Sequence, residues 1–188
     1  MKERAITVFV SATADLEPER EVVGEALARF PVALPWRIAR TPRPGEQTPA
    51  ALEEVRRSDF CLVLLGGDIT APVGAELVAG RDAGVPVYVL VKDVPHTPAE
   101  RFFQYNSVET WESFSGTDEL RRLVVRHMAQ GVVDRAIELG LSADEAARLV
   151  VYLREEKPEE PGVAGHGEPQ GAQDAAVIVS DRERRRRG

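Results

Sequence analysis

Two stretches of the chain carry residues whose types and spacing suit chemistry. The first is GGDITAPVGAELVAGRDAGVPVYVLV, residues 66–91, in which Gly66, Gly67 and Asp68 precede a helix opening near Pro72, with Glu76 inside its first two turns. Val73, Leu77 and Gly80 or Arg81 follow the three-to-four spacing of a core-facing stripe, which leaves Glu76 at the edge of that stripe, toward the strand tips. A carboxylate flanked there by Val73, Ala75 and the Gly74 backbone would be partly desolvated. It could attack, or stabilise electrostatically, an electron-poor sugar carbon. The plainer alternative is a glutamate solvated on a helix surface. The second stretch is SATADLEPER, residues 11–20, which has neither the glycine fingerprint of a dinucleotide fold nor the Gly-Lys-Ser/Thr ending of a phosphate loop. Asp15, Glu17 and Glu19 would repel a phosphate at the helix start, whereas Ser11, Thr13 and Asp15 suit hydrogen bonds to sugar hydroxyls. In the alternative, Asp15 only caps the helix and Thr13 finishes the turn. Arg20 is expected to pair with a nearby carboxylate in both cases.

The remaining candidates point to packing. His96, His127 and His166 are dispersed and receive no catalytic role, and the lone Cys61 lies within a strand as a small buried hydrophobe. No Cys/His cluster has metal-ligand spacing, so neither a metal nor a cofactor is called for. Asp59 is expected at the amino end of the sheet, capping a helix or turn. Trp36, Trp111, Phe102, Phe103 and Tyr105 are read as core or lid packing, with stacking on a base as the alternative.

The elements that must position these residues alternate strand-length apolar runs with longer amphipathic segments, the pattern of a parallel sheet with crossover helices. Strands are expected at 5–11, at 32–39 as an edge strand interrupted by Pro35, at 60–65, at 85–91 and at 108–111. Helices are expected at 18–30, at 50–57 with Thr48 as N-cap, at 72–83, at 117–131, and at 142–155 behind a capping box of Ser142 and Glu145. Residues 92–107, with two prolines, read as a long connection that covers the top of the sheet as a lid. In such a sheet, ligands bind outside the carboxyl ends of the strands where the strand order reverses, which selects the two stretches above.

Composition bounds the rest. With 43% hydrophobic against 29% charged residues in a chain of 188, the sequence can bury a core, and it has the length of one domain with an appendage. The balance of 24 Lys and Arg against 31 Asp and Glu gives a net charge of −7, which argues against a general phosphate-backbone binder. FCLVLL and VPVYVLV are far short of the roughly 20 apolar residues that span a bilayer. The start MKERAITVFVS is too short and too β-branched for a secretory segment, so Met1 is expected to begin the folded protein. With a single cysteine, the cytoplasm is the expected compartment. Beyond Lys157 the composition shifts: residues 158–173 hold seven Pro or Gly in sixteen, and the chain ends in RERRRRG. The expectation there is a disordered linker and an arginine-rich tail, the one segment suited to nucleic acid or another anionic surface.

The string VFVSATADLEPEREVVGEAL, followed by SDFCLVLLGG and GAELVAGRDAGVPVYVLVK, resembles a known family. This is a bacterial and animal domain of unknown function found at the N-terminus of signalling ATPases and conflict-system proteins, itself similar to nucleoside 2-deoxyribosyltransferases and TIR domains. The resemblance covers about residues 4–130. It implies a flavodoxin-like, three-layer α/β/α domain over 1–131 with a parallel sheet of order 2-1-3-4-5; the expected helical extension over 132–157 and the tail over 158–188 fall outside it. It also implies a nucleoside or nucleotide ligand, NAD among them, over the strand tips, with Glu76 as the catalytic residue and Ser11, Thr13, Asp15, Gly66, Gly67, Asp68 and Gly74 around the ligand. Cleavage or transfer of an N-glycosidic bond is then one expected function. The other is a non-catalytic interaction module of the kind adaptor TIR domains form, acting through a second copy of the chain or a signalling partner.

Overall fold

The computed structural model describes residues 5–42, 51–106 and 109–156. Thr48, Val108 and the whole of 158–188, including the arginine-rich tail, lie outside the described residues. Five strands, β1 (Ile6–Ala12), β2 (Trp36–Arg40), β3 (Phe60–Leu65), β4 (Val87–Lys92) and β5 (Trp111–Phe114), form one all-parallel sheet in the order β2-β1-β3-β4-β5. Seven helices accompany it: α1 (Glu17–Ala28), α2 (Ala51–Arg57), α3 (Ala71–Asp82), α4 (Pro98–Asn106), α5 (Thr117–Asp134), α6 (Ala136–Leu139) and α7 (Ala143–Glu155). This is the doubly wound, flavodoxin-like α/β/α arrangement, with its reversal of strand order between β1 and β3.

The alternation of side chains along each strand splits the core into two. Ile6, Val8, Val10 and Ala12 of β1, with Phe60, Leu62 and Leu64 of β3, face α1 and α5, where Val23, Leu27, Val124 and Met128 close the layer. Leu149 of α7 is buried in the same cluster. Phe9, Cys61, Val63, Leu65, Val89 and Val91 face the other way, against Val55 of α2 and Val73 and Leu77 of α3. Because β3 is covered on both faces, all six of its residues are buried, and its sequence is a continuous apolar run.

Local chemistry sets the element ends. Pro72 occupies the first turn of α3, where its missing N–H is no loss, and the chain leaves that helix through Gly84 at φ +72°. The Ser142 hydroxyl accepts the Glu145 N–H at 3.2 Å while the Glu145 carboxylate accepts the Ser142 N–H at 2.8 Å, the reciprocal capping box that starts α7. Asp59 accepts the Thr7 N–H at 2.9 Å at the amino end of the sheet. It secures β1 in this way, and its other carboxylate oxygen lies 3.8 Å from Arg135 at the junction of α5 and α6.

Several expectations about elements change. β2 begins at Trp36, directly after Pro35, rather than running across it from residue 32. The connection 92–107 contains a helix, α4, because Thr97 and Pro98 supply an N-cap and a first helical residue. The fifth strand lies three residues later than expected, at Trp111–Phe114. The aromatic residues divide: Trp36 packs edge-on to Phe30 and Trp111 to Phe103, but Phe102 and Tyr105 are 72% and 90% exposed.

Candidate functional site

Ser11 lies near the carboxyl end of β1, on the face that carries Phe9, and so points toward α3 rather than α1. Thr41 follows β2 by one residue. Its N–H donates to the Val10 carbonyl at 3.2 Å, which continues the β1–β2 ladder and puts Thr41 on the same face as Ala39. Glu76 comes from the second turn of α3, inside the buried stripe of Val73, Leu77 and Gly80 rather than at its edge. Only 2% of it is exposed. A carboxylate can sit in that stripe because the two strand ends below it supply polar partners.

The Ser11 hydroxyl donates to Glu76 Oε2 at 2.5 Å, and the Thr41 hydroxyl donates to the same oxygen at 2.6 Å. Thr41 Oγ1 also accepts the Ala12 N–H at 3.1 Å, so the backbone of β1 fixes the direction in which that hydroxyl donates. Both contacts are short, as expected when the acceptor is ionised. Among the described residues Glu76 Oε1 accepts no hydrogen bond, which leaves one oxygen of the carboxylate free for another partner.

The electrostatics oppose one another. Burial raises the Glu76 pKa above its ordinary value, while the Ser11 and Thr41 hydroxyls and the Arg20 guanidinium pull it back down; burial prevails. Arg20 reaches the site from the opposite face, donating through Nη2 to the Ala12 carbonyl and through Nη1 to Glu17 at 2.8 Å. That is the carboxylate partner expected for it. Burial, and secondarily the Glu76 charge, pushes the Cys61 thiol up to about 12. A carboxylate with a raised pKa, oriented by two hydroxyls and shielded from water, can serve as a nucleophile or stabilise developing positive charge.

The other candidates lie in the turn after β1, the loop after β3 and the start of α3. Thr13 is buried, its carbonyl accepts the Leu16 N–H at 3.1 Å, and its hydroxyl finds no hydrogen bond among the described residues. Asp15 is exposed in the 3-10 turn Ala14–Leu16 and reaches across to the β3 loop: a Cβ on Gly66 would lie 2.9 Å from Asp15 Oδ2. Gly67 passes so close to the next loop that a Cβ there would lie 2.8 Å from the Pro95 carbonyl oxygen. Asp68 accepts the Thr97 hydroxyl at 2.7 Å and the Ile69 N–H at 2.9 Å, and so ties the loops after β3 and β4 together. Gly74 sits in the first turn of α3, donating to the Thr70 carbonyl at 3.0 Å. Thus Ser11 meets Glu76 and Asp15 meets Gly66, while Gly67, Asp68 and Gly74 shape the loops.

Sequence reasoning did not single out Thr41. The signal was available only in part: Ala39 and Thr41 share a face by alternation, but the register that carries Thr41 beside Ser11 belongs to the assembled sheet. Among the described residues no group of three or more His, Cys, Asp or Glu could hold a metal ion. No helix among them is long and apolar enough to cross a membrane.

No protein-family model matches the chain, and no curated protein matches it either. Among solved structures, it is similar to the flavodiiron protein from Giardia intestinalis, at 13% identity over 81% of this chain and 37% of that one, with a TM-score of 0.41. It is also similar to translation elongation factor SelB from Methanococcus maripaludis in complex with the GTP analogue GPPNHP, at 12% identity, 82% and 35% coverage, and a TM-score of 0.35. The chain therefore spans little more than a third of the length of either protein. Neither likeness bears on what the chain does.

Proposed function

We propose that the chain is a nucleoside- or nucleotide-binding domain of TIR-like or deoxyribosyltransferase-like character that cleaves an N-glycosidic bond, with Glu76 as its catalytic carboxylate. The observation that carries this reading is the convergence of the Ser11 and Thr41 hydroxyls on one oxygen of Glu76, at the carboxyl ends of neighbouring strands, leaving the other oxygen for a ligand. In the reaction, the bond between the sugar carbon and the base nitrogen breaks with its electron pair leaving on the base. Glu76 stabilises the oxocarbenium-like carbon or bonds to it; water then adds its hydroxyl to that carbon, displacing Glu76 where it has bonded, and its remaining proton goes to the departed base or to solvent. Asp15, exposed in the turn after β1, would receive sugar hydroxyls, and the acidic start of α1 favours the sugar over a phosphate there. The test is incubation with NAD and with nucleosides, reading released base. Release by the wild type and its loss in Glu76→Gln is the expected result. No release from any of these substrates, or full turnover in Glu76→Gln, overturns the reading.

A second reading, a non-catalytic interaction module, is favoured by one observation: Phe102 and Tyr105 project from α4 with 72% and 90% of their surfaces exposed. Concentration-dependent assembly that is lost in the Phe102→Ala, Tyr105→Ala double variant, with no effect of nucleotide, would favour it.

A further inference from the structure

The loop after β4 carries a second buried carboxylate, which the reaction above leaves unused. Glu100 of α4 is 0% exposed. Gln104, one turn on, donates to Glu100 Oε1 at 2.6 Å, and Glu100 Oε2 lies 2.9 Å from His96 Nδ1. The same ring nitrogen lies 3.1 Å from the Gly66 carbonyl oxygen. A carbonyl and a carboxylate can only accept, so the imidazole proton belongs on Nδ1 and the lone pair on Nε2. The ring is held from its own loop as well. Thr97 donates its N–H to the Gly67 carbonyl at 2.8 Å and its hydroxyl to Asp68 at 2.7 Å, and accepts the Glu100 N–H at 3.2 Å.

This arrangement sits at the point where the strand order reverses. Gly66 ends β3 beside β1, with the Asp15 carboxylate against its α-carbon and His96 against its carbonyl. The His96 side chain keeps about a fifth of its surface exposed, 21%, while the carboxylate beside it keeps none. Burying a carboxylate is costly unless its oxygens are partnered; Glu100 Oε2 makes no hydrogen bond among the described residues, so it is its charge, 2.9 Å away, that favours a proton on the facing Nδ1. The neighbouring charges, Glu100 and Asp15, are both negative, which disfavours a phosphate at this spot and suits a neutral hydroxyl.

We infer that His96 is a ligand-binding residue at the carboxyl end of the sheet, whose Nε2 accepts a hydrogen bond from a ribose hydroxyl, with its ring held by the Gly66 carbonyl and its proton kept on Nδ1 by the adjacent Glu100 charge. The inference rests on the nucleoside reading above and extends it: the ligand presents an unblocked sugar hydroxyl to the β4 loop. The experiment compares binding of adenosine and 2′,3′-dideoxyadenosine to the wild type, His96→Ala and Glu100→Gln, with the imidazole followed by nitrogen-15 NMR. Expected results are a ring protonated at Nδ1, and a three- to tenfold loss of adenosine affinity in His96→Ala that is absent for the dideoxy compound, about the value of one hydrogen bond. In Glu100→Gln the tautomer signal should become mixed and adenosine affinity should fall, with the dideoxy compound again unaffected. Equal losses for both ligands, no loss for either, or a ring protonated at Nε2 overturns this inference alone. Failure of the wild type to bind either nucleoside or NAD overturns the nucleoside reading, and this inference with it.

Discussion

The Ser11 hydroxyl donates to the Glu76 carboxylate at 2.5 Å, joining positions 65 residues apart in the chain and closing α3 onto the end of β1. Thr41 makes the matching contact from β2, so a single carboxylate oxygen fastens one helix to two strands. These contacts are internal to the fold and central to the proposed chemistry, and the two contributions can be measured separately.

Removing the hydroxyls should alter both the acidity and the stability of the protein. Each donor favours the ionised form of Glu76, so Ser11→Ala and Thr41→Val should each move its pKa further up. Each should also cost about 1.5–3 kcal/mol in denaturant unfolding, the usual worth of a hydrogen bond to a charged group. Thr41→Val additionally strands the Ala12 N–H and should be the worse of the two. Carboxyl carbon-13 NMR and urea titration check the two effects.

The wild type, measured against Glu76→Gln, should show the opposite sign of pH dependence from a salt-bridged carboxylate. Below its ordinary value of 4.5 the group is neutral in the folded and unfolded chain alike. As pH rises through 4.5 the unfolded chain ionises first, so the stability of the wild type relative to Glu76→Gln falls until the folded carboxyl ionises too, then levels off. Paired unfolding curves from pH 4 upward would show it. A relative stability that rises over that window contradicts the assignment.

Cys61 should be inert in the native protein. With the thiol buried and its pKa near 12, the reactive thiolate is scarce at pH 8. A thiol reagent should label it only after denaturation, and labelling that keeps pace with an exposed thiol would show that β3 is not closed off.

Gly131 should not tolerate a methyl group. A Cβ there would lie 2.5 Å from the Tyr88 hydroxyl and 2.8 Å from Phe60 Cε1, so Gly131→Ala should destabilise by about 1–3 kcal/mol through overpacking of α5 on the sheet. Thermal unfolding measures it. Gly116→Ala, where a Cβ meets nothing within 4 Å, is the control.

Much of the frame was legible in the residues. The unbroken run of β3 announces a strand covered on both faces, Pro35 announces an edge, and Ser142 with Glu145 announces a helix start. The resemblance supplied the strand order. What local pattern missed came from competing signals and from register. The prolines of 92–107 suggested a lid, yet Thr97, Pro98 and Glu100 are a helix-start pattern, and the helix they open carries the carboxylate beside His96. Glu76 looked marginal to its stripe because polar residues are normally excluded there, and only the placement of Ser11 and Thr41 explains its depth. Thr41 lies one residue past its strand; alternation puts it on the face of Ala39, but only the assembled register carries it beside Ser11.

That Thr41 extends an outer strand has a dynamic consequence. Among the described residues β2 has a neighbour on only one side, and outermost strands open locally at lower free energy than central ones. Each such opening detaches one hydroxyl from Glu76 and admits water to the carboxylate without unfolding the rest of the sheet. Amide hydrogen exchange at Thr41 and the ionisation of Glu76 should therefore rise and fall together, so that fraying of this margin gates the charge at the centre of the site.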